Sequence, residues 1–225
     1  PGEQIDLSVD WHGIHAGKVR MSVGQAEGAI WPIICQGGTD GLASVLDVRE
    51  HYVAYWDAER RASRGTDVNA IEVGDRHFDQ SRFDRESGKA TVKITRKGRV
   101  TQSTHDVPAD VHDLASALYF LRLQPLAPGA RYAYPVFSGK DTFLLEAQVE
   151  GHERVETPAG AFDALRVRVR LGFQDRWKSK RDAQVWLTTD ARRVPVRATA
   201  DFALGSIDAR LESYRPGGPM AASAR

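Results

Sequence analysis

The feature that most constrains this chain is one well-marked helix set among strand signals, in residues 107–137, VPADVHDLASALYFLRLQPLAPGARYAYPVF. Val111, Leu114, Ala115, Leu118 and Leu121 recur at helical spacing and form a single apolar stripe, which has to bury against another layer. Asp110, after Pro108, is the expected N-cap, and Asp113 then falls in the first turn, where a negative charge favours the helix dipole. Pro125 and Pro128-Gly129 stop the helix, and residues 131–137 resume as an extended segment. The spacing therefore predicts a helix over about 111–121 with Leu114, Leu118 and Leu121 toward a sheet.

Most of the remaining chain alternates with the period of two that marks a strand with one buried face. Ile5, Leu7, Val9 and Trp11 do so, and after Gly13 the pattern restarts toward Val19, Met21 and Val23, which is a hairpin. Residues 29–35 form a short apolar strand before the breaker-rich GGTDG, and LASVL supplies a helical turn ahead of a long strand, REHYVAYWD. Residues 57–70 carry mixed charge with almost no apolar period, and are expected to be an exposed connection. From Ile71 a meander follows, with turns at Glu86-Ser87-Gly88-Lys89 and Lys97-Gly98.

After the helix, Phe143, Leu145, Ala147 and Val149 face one way on one strand, and Leu165, Val167, Val169 and Leu171 do so on the next. The turn Thr157-Pro158-Ala159-Gly160 between them makes the two strands antiparallel neighbours, with Glu146, Gln148 and Glu150 near the outward Arg166, Arg168 and Arg170. In the last hairpin, residues 185–202, Pro195 requires an edge position or a bulge. Residues 205–214 close the sheet. The predicted fold is mostly β, a single curved antiparallel sheet or half-barrel with one amphipathic helix against it. One β-rich domain is expected over 1–216, with 217–225 a disordered tail by composition.

Composition excludes several classes of function. The 31 basic and 30 acidic residues nearly cancel, so net charge points to neither nucleic acid nor a membrane surface. No run approaches the roughly eighteen apolar residues of a membrane-spanning helix. Cys35 is the single cysteine, which rules out an intrachain disulfide and a multi-cysteine metal site, and in WPIIC it is expected to be a small buried hydrophobe. The seven histidines are scattered; His12 and His15 fall on opposite faces of a strand, no HExxH is present, and surface or capping roles are expected. Ser116 lies mid-helix without a GxSxG elbow, and the glycines form no phosphate loop. No catalytic residue, metal or cofactor is therefore predicted.

One charge feature stands out. Residues 164–197 contain ten Arg or Lys against three Asp, a local net charge of +7 in a chain of +1. Arg166, Arg168 and Arg170 share the outward face of one strand, and Arg192 and Arg193 sit at the hairpin tip, so these five are the candidate binding residues, for anionic glycan or lipid headgroups.

Four passages together resemble one exported bacterial family, the domain of unknown function 3108. They are Trp11-His12-Gly13-Ile14-His15-Ala16-Gly17; Leu118-Tyr119-Phe120-Leu121-Arg122 with Leu126 and Pro128-Gly129; Val155-Glu156-Thr157-Pro158-Ala159-Gly160-Ala161-Phe162-Asp163-Ala164; and Val185-Trp186-Leu187-Thr188 with Asp190, Arg192-Arg193 and Pro195-Val196. The resemblance implies a curved antiparallel sheet with a helix against it, and a periplasmic or cell-envelope location in Gram-negative bacteria, any signal or lipid anchor lying upstream of Pro1. It carries no activity. The final hairpin is also similar to one in the periplasmic lipoprotein-carrier proteins, whose half-barrels hold acyl chains. The expectation is a non-catalytic, carrier-like protein taking an apolar or amphipathic small molecule, lipid or glycolipid. The alternatives are a structural or assembly protein of envelope polysaccharide export with an envelope protein partner, and, third, a hydrolase.

Overall fold

The computed structural model describes residues 1–173, 176–177, 183–202 and 205–218. Their strands are β1 (Gln4–Trp11), β2 (Ile14–Val23), β3 (Ile30–Thr39), β4 (Arg49–Asp57), β5 (Ala62–Glu72), β6 (Asp75–Asp84), β7 (Lys89–Arg96), β8 (Arg99–Asp106), β9 (Arg131–Phe137), β10 (Thr142–Thr157), β11 (Gly160–Phe173), β12 (Arg176–Trp177), β13 (Ala183–Thr188), β14 (Pro195–Phe202) and β15 (Gly205–Arg215). All belong to one antiparallel sheet in the order β8-β7-β6-β5-β4-β3-β2-β1-β15-β14-β13-β11-β10-β9, with β12 added on β11. The sheet is unclosed, and β15, the last strand, is an interior seam between β14 and β1. One helix, α1 (Leu114–Arg122), and a 3-10 turn at Gly41–Leu46 complete the described structure.

The hairpin β1–β2, the helical turn before β4, the β6–β8 meander and the antiparallel pair β10–β11 stand as the alternation predicted. Pro195 sits in β14, an interior strand, and is accommodated by a register shift between Trp186 and Leu187. The expected connection at 57–70 is instead mostly strand β5, paired on both sides. Its buried positions are Ala70 and, beside a register shift in β4 between Ala54 and Trp56, Ala62, Ser63, Gly65 and Thr66. A Cβ at Gly65 would overlap the Ser81 carbonyl, so close strand approach selects small residues there, and small residues carry no hydropathy signal. For the same reason β3 runs on through Gly37 and Gly38 rather than breaking: a side chain at Gly17 would strike the Gly38 carbonyl across the pair.

The helix begins three residues later than predicted. Residues 111–113 are extended and lie against β9, with His112 N donating to the Pro135 carbonyl at 2.9 Å and Phe137 N to the His112 carbonyl at 2.8 Å. Asp113, not Asp110, is the N-cap: its Oδ1 accepts from Ala115 N (2.9 Å) and Ser116 N (3.0 Å), while Ser116 Oγ accepts from Asp113 N (3.0 Å). This start fixes which face goes in. Ala115, Ala117 and Leu121 are buried, Leu118 is half-buried, and Leu114 is 56% exposed, against the expectation that it faces the sheet. Val111 is buried from the preceding extended segment, beside Phe83 and Phe137.

The helix lies in the concavity and unites the core. Ala117 and Leu121 pack with Tyr134, Val136, Leu145, Val149, Leu165 and Val167 of the C-terminal strands, and Ala115 packs with Ile33, Ala54 and Trp56 of β3 and β4. A third cluster, of Ile5, Leu7, Met21, Trp186, Val196 and Leu211, spans the β15 seam. Gly217 and Gly218, expected in the tail, lie along the N-terminus, Gly218 N donating to the Pro1 carbonyl at 3.0 Å. The rest of that tail, 219–225, and Lys178, Lys180 and Arg181 of the basic stretch lie outside the described residues.

Candidate functional site

Beyond the C-terminal end of α1 the concave face is left open as a cleft of about 540 Å³. Val23, Trp31, Ile33, Trp56 and Ala58, from the neighbouring ends of β2, β3 and β4, make its apolar wall. Leu123, just past the helix and 57% exposed, overhangs it. The size falls within the roughly 300–1,000 Å³ of small-molecule sites, and the mostly apolar lining with a few convergent polar groups is their usual chemistry.

Those polar groups converge on Glu3. Arg122 holds the carboxylate with both terminal nitrogens, at 2.9 and 2.6 Å; Tyr119 donates to it at 2.9 Å and Tyr214 at 3.3 Å. The ion pair is nearly enclosed, its side chains 8% and 13% exposed, and the guanidinium lies over the Tyr119 ring at 4.6 Å. Burial pushes the Glu3 carboxyl up, but hydrogen bonds and charge from Arg122, with the two phenols, more than offset this and hold it below its ordinary value. Arg122 also donates to the Arg192 carbonyl at 2.9 Å, tying the hairpin tip to the helix. This node seals one end of the cleft and joins β1, α1 and β15.

Two further arginines rim the opening. Arg192 pairs with Asp190 at 2.6 Å and lies over the Tyr214 ring at 5.6 Å. Arg61, in the β4–β5 turn, is exposed, in the left-handed region at φ 53°, and engaged in no hydrogen bond or ion pair among the described residues.

The predicted arginines do not share one recess. Arg166 pairs with Glu150 (2.8 Å) and Glu153 (3.3 Å); Arg168 pairs with Glu150 (3.2 Å) and bonds Gln148 (2.6 Å). Arg168 and Arg170 line a separate recess of about 270 Å³ with Arg131 and Glu146. Arg193 donates to the Thr189 carbonyl at 3.0 Å, and Arg192 alone of the five reaches the cleft. Glu3, Trp31, Trp56, Arg61 and Tyr214 went unrecognised in the sequence because they are far apart in it. Tyr119 and Arg122 had a usable signal: two polar groups three apart on an amphipathic helix share one face.

Behind the helix start lies a second polar group. Tyr52 donates to Asp113 Oδ1 at 3.1 Å, while Asp113 Oδ2 and His112 Nδ1 are buried without partners. His112, expected at the surface or in a cap, is packed among Trp56, Phe120 and Tyr134, with ring centroids at 4.6–5.8 Å. Cys35, expected to be a small buried hydrophobe, is partly buried and packs against two of the apolar clusters, its thiol pushed up to about 12 by burial and then by the charges of Asp113 and Glu50. Among the described residues no three His, Cys, Asp or Glu side chains are grouped to hold a metal ion, and no helix is long and apolar enough to cross a membrane.

In fold the chain is similar to a β-barrel-like protein of the domain of unknown function DUF1849 from Brucella abortus, at 10% identity over 95% of this chain and 96% of that one, with a TM-score of 0.66. It also aligns with a protein of YmcC-like fold from Bacteroides fragilis, at 12% identity over 96% of each chain and a TM-score of 0.36. No curated protein matches it. Residues 6–212, from β1 to the seam strand β15 and so almost the whole sheet, match the family described as protein of unknown function DUF3108, and the chain belongs to that family.

Proposed function

We propose that this protein is a non-catalytic binding or carrier-like protein of the cell envelope that accepts an apolar or amphipathic molecule in the cleft at the mouth of its half-barrel. The observation that carries the reading is the cleft beyond the helix end, where partly exposed Trp31, Ala58 and Leu123 stand over a floor of buried Val23, Ile33 and Trp56. Burying such a surface under a ligand's chain is favourable at about 25 cal/mol per Å² of apolar surface removed from water. The polar groups nearby hold structure: Glu3 and Arg122 bind each other, and Ser116 and Asp113 cap the helix. The envelope location rests on the family resemblance read from the sequence. The alternative, a part of envelope polysaccharide export, has the arginines of β11 to offer an anionic glycan, and these are already paired with Glu150 and Glu153.

Native mass spectrometry of protein purified without detergent tests the reading. A bound small amphiphile is expected, retained by the wild type and lost in Ala58→Trp, which fills the cleft while leaving the circular dichroism unchanged. Absence of any adduct, together with no saturable change in tryptophan emission on titration with hexadecanol or hexadecanoate, would overturn it.

A further inference from the structure

Resting on that reading of the cleft, we propose that its occupant is a single-chain amphiphile with an anionic head, held at Arg61 and Arg192 while its chain lies along Trp31, Ala58 and Leu123. The charges around the opening carry the inference. Three arginines line the cleft, Arg61, Arg122 and Arg192, against one carboxylate, Glu3. Both oxygens of that carboxylate are occupied, by Arg122, Tyr119 and Tyr214, so it has nothing left for a cationic head. Arg122 is consumed by the same pair. Arg192 is exposed and its partner, Asp190, lies outside the cleft lining, while Arg61 has no partner among the described residues.

The position of Arg61 adds a second observation. It is held at φ 53°, a backbone conformation that a side-chain-bearing residue adopts at a cost, and glycine would meet it more easily. The turn holds Arg61 exposed at the lip of the cleft, with no partner among the described residues. Arginine is also the side chain suited to a carboxylate or phosphate head, because its planar fork offers two parallel donors. The cleft, at about 540 Å³, has the size for one chain.

The test compares three probes of equal chain length: hexadecanoate, hexadecanol and hexadecyltrimethylammonium, each below its aggregation point, read by tryptophan emission and native mass spectrometry. Hexadecanoate is expected to bind about tenfold or more tighter than the alcohol, with the ammonium weakest. The advantage should collapse in about 1 M salt, where the screening length is about 3 Å. In Arg61→Gln/Arg192→Gln the acid and the alcohol should bind within about threefold of each other. Equal binding of acid and alcohol to the wild type, or an acid preference untouched by the double variant, overturns the anionic head and leaves the cleft reading standing. Failure of all three probes overturns both. The salt response of the wild type keeps the test decisive if the variant does not fold.

Discussion

The helix-covered half of the sheet and the β5–β8 meander are built from the same alternation yet end in different states. Under α1, the inward positions of β9, β10, β11 and β13 are buried in one continuous cluster from Tyr134 to Leu187. On the meander, the inward row of β6 runs Phe83, Ser81, Asp79, His77, and that of β7 runs Ala90, Val92, Ile94, Arg96, from buried to accessible along each strand. Strand β8, at the sheet edge, has every residue exposed except His105. Burial on a one-layer sheet extends only as far as something covers it, and beyond the reach of the helix the inward positions turn polar. Exposed Arg, Thr, Gln and Ser along β8 also keep a free edge from recruiting another chain.

Matched truncations in the two halves should separate them most strongly. Leu121→Ala, on a side chain 2% exposed beneath the helix, is expected to cost about 2–5 kcal/mol in denaturant unfolding. Val100→Ala, 54% exposed on β8, should stay within about 0.5 kcal/mol. Equal losses at the two sites would mean that the meander is covered in solution by something else.

The junction of the halves supplies a pH signature of next size. Burial brings the His112 imidazole from 6.5 down to about 4, against the pull of Asp113 and Asp110 and with help from Arg85. In that window the unfolded chain binds a proton at this site and the folded chain does not. Stability therefore falls as pH drops from about 6.5 to about 4, by on the order of 3 kcal/mol in total. His112→Phe, which fits among Trp56, Phe120 and Tyr134, should flatten that slope between about pH 7 and about pH 4.5 in parallel denaturation curves. Identical slopes in the two proteins would show that another group governs acid sensitivity.

The smallest effect is expected on the outer face of the covered half. Changing Arg166, Arg168 and Arg170 to Gln removes pairs with Glu150 and Glu153 that are open to solvent, and should shift stability by less than about 1 kcal/mol. Retention of hexadecanoate in the cleft should be untouched. Lost retention would make that face the binding surface and favour an anionic glycan.

Strand order within the hairpins was legible in the sequence because an antiparallel neighbour needs only a short turn, as at Thr157–Gly160 and Lys97–Gly98. Strand β5 was not, since the buried residues at its start, Ala62, Ser63 and Gly65, are small and look like loop in a hydropathy pattern. The helix was found but mis-phased, because Asp110 and Asp113 both satisfy the local rule for a cap. The choice fell to the pairing of His112 with Pro135 and Phe137, residues more than twenty positions away.

The sequence by itself determined a mostly β chain with one covering helix, the pairing of β10 with β11, and the outward arginines with Glu150 beside them. These are local properties, set by period, turn chemistry and side-chain spacing along neighbouring strands. Tertiary structure alone decided that the last strand is a seam joining β1 to β14, that the helix turns Ala115 and Ala117 inward and Leu114 outward, and that Glu3, Arg122 and Tyr214 meet at the mouth of the half-barrel. Those outcomes depend on how far one helix can cover a curved sheet and on contacts between residues as far apart as Glu3 and Tyr214, which no local pattern encodes.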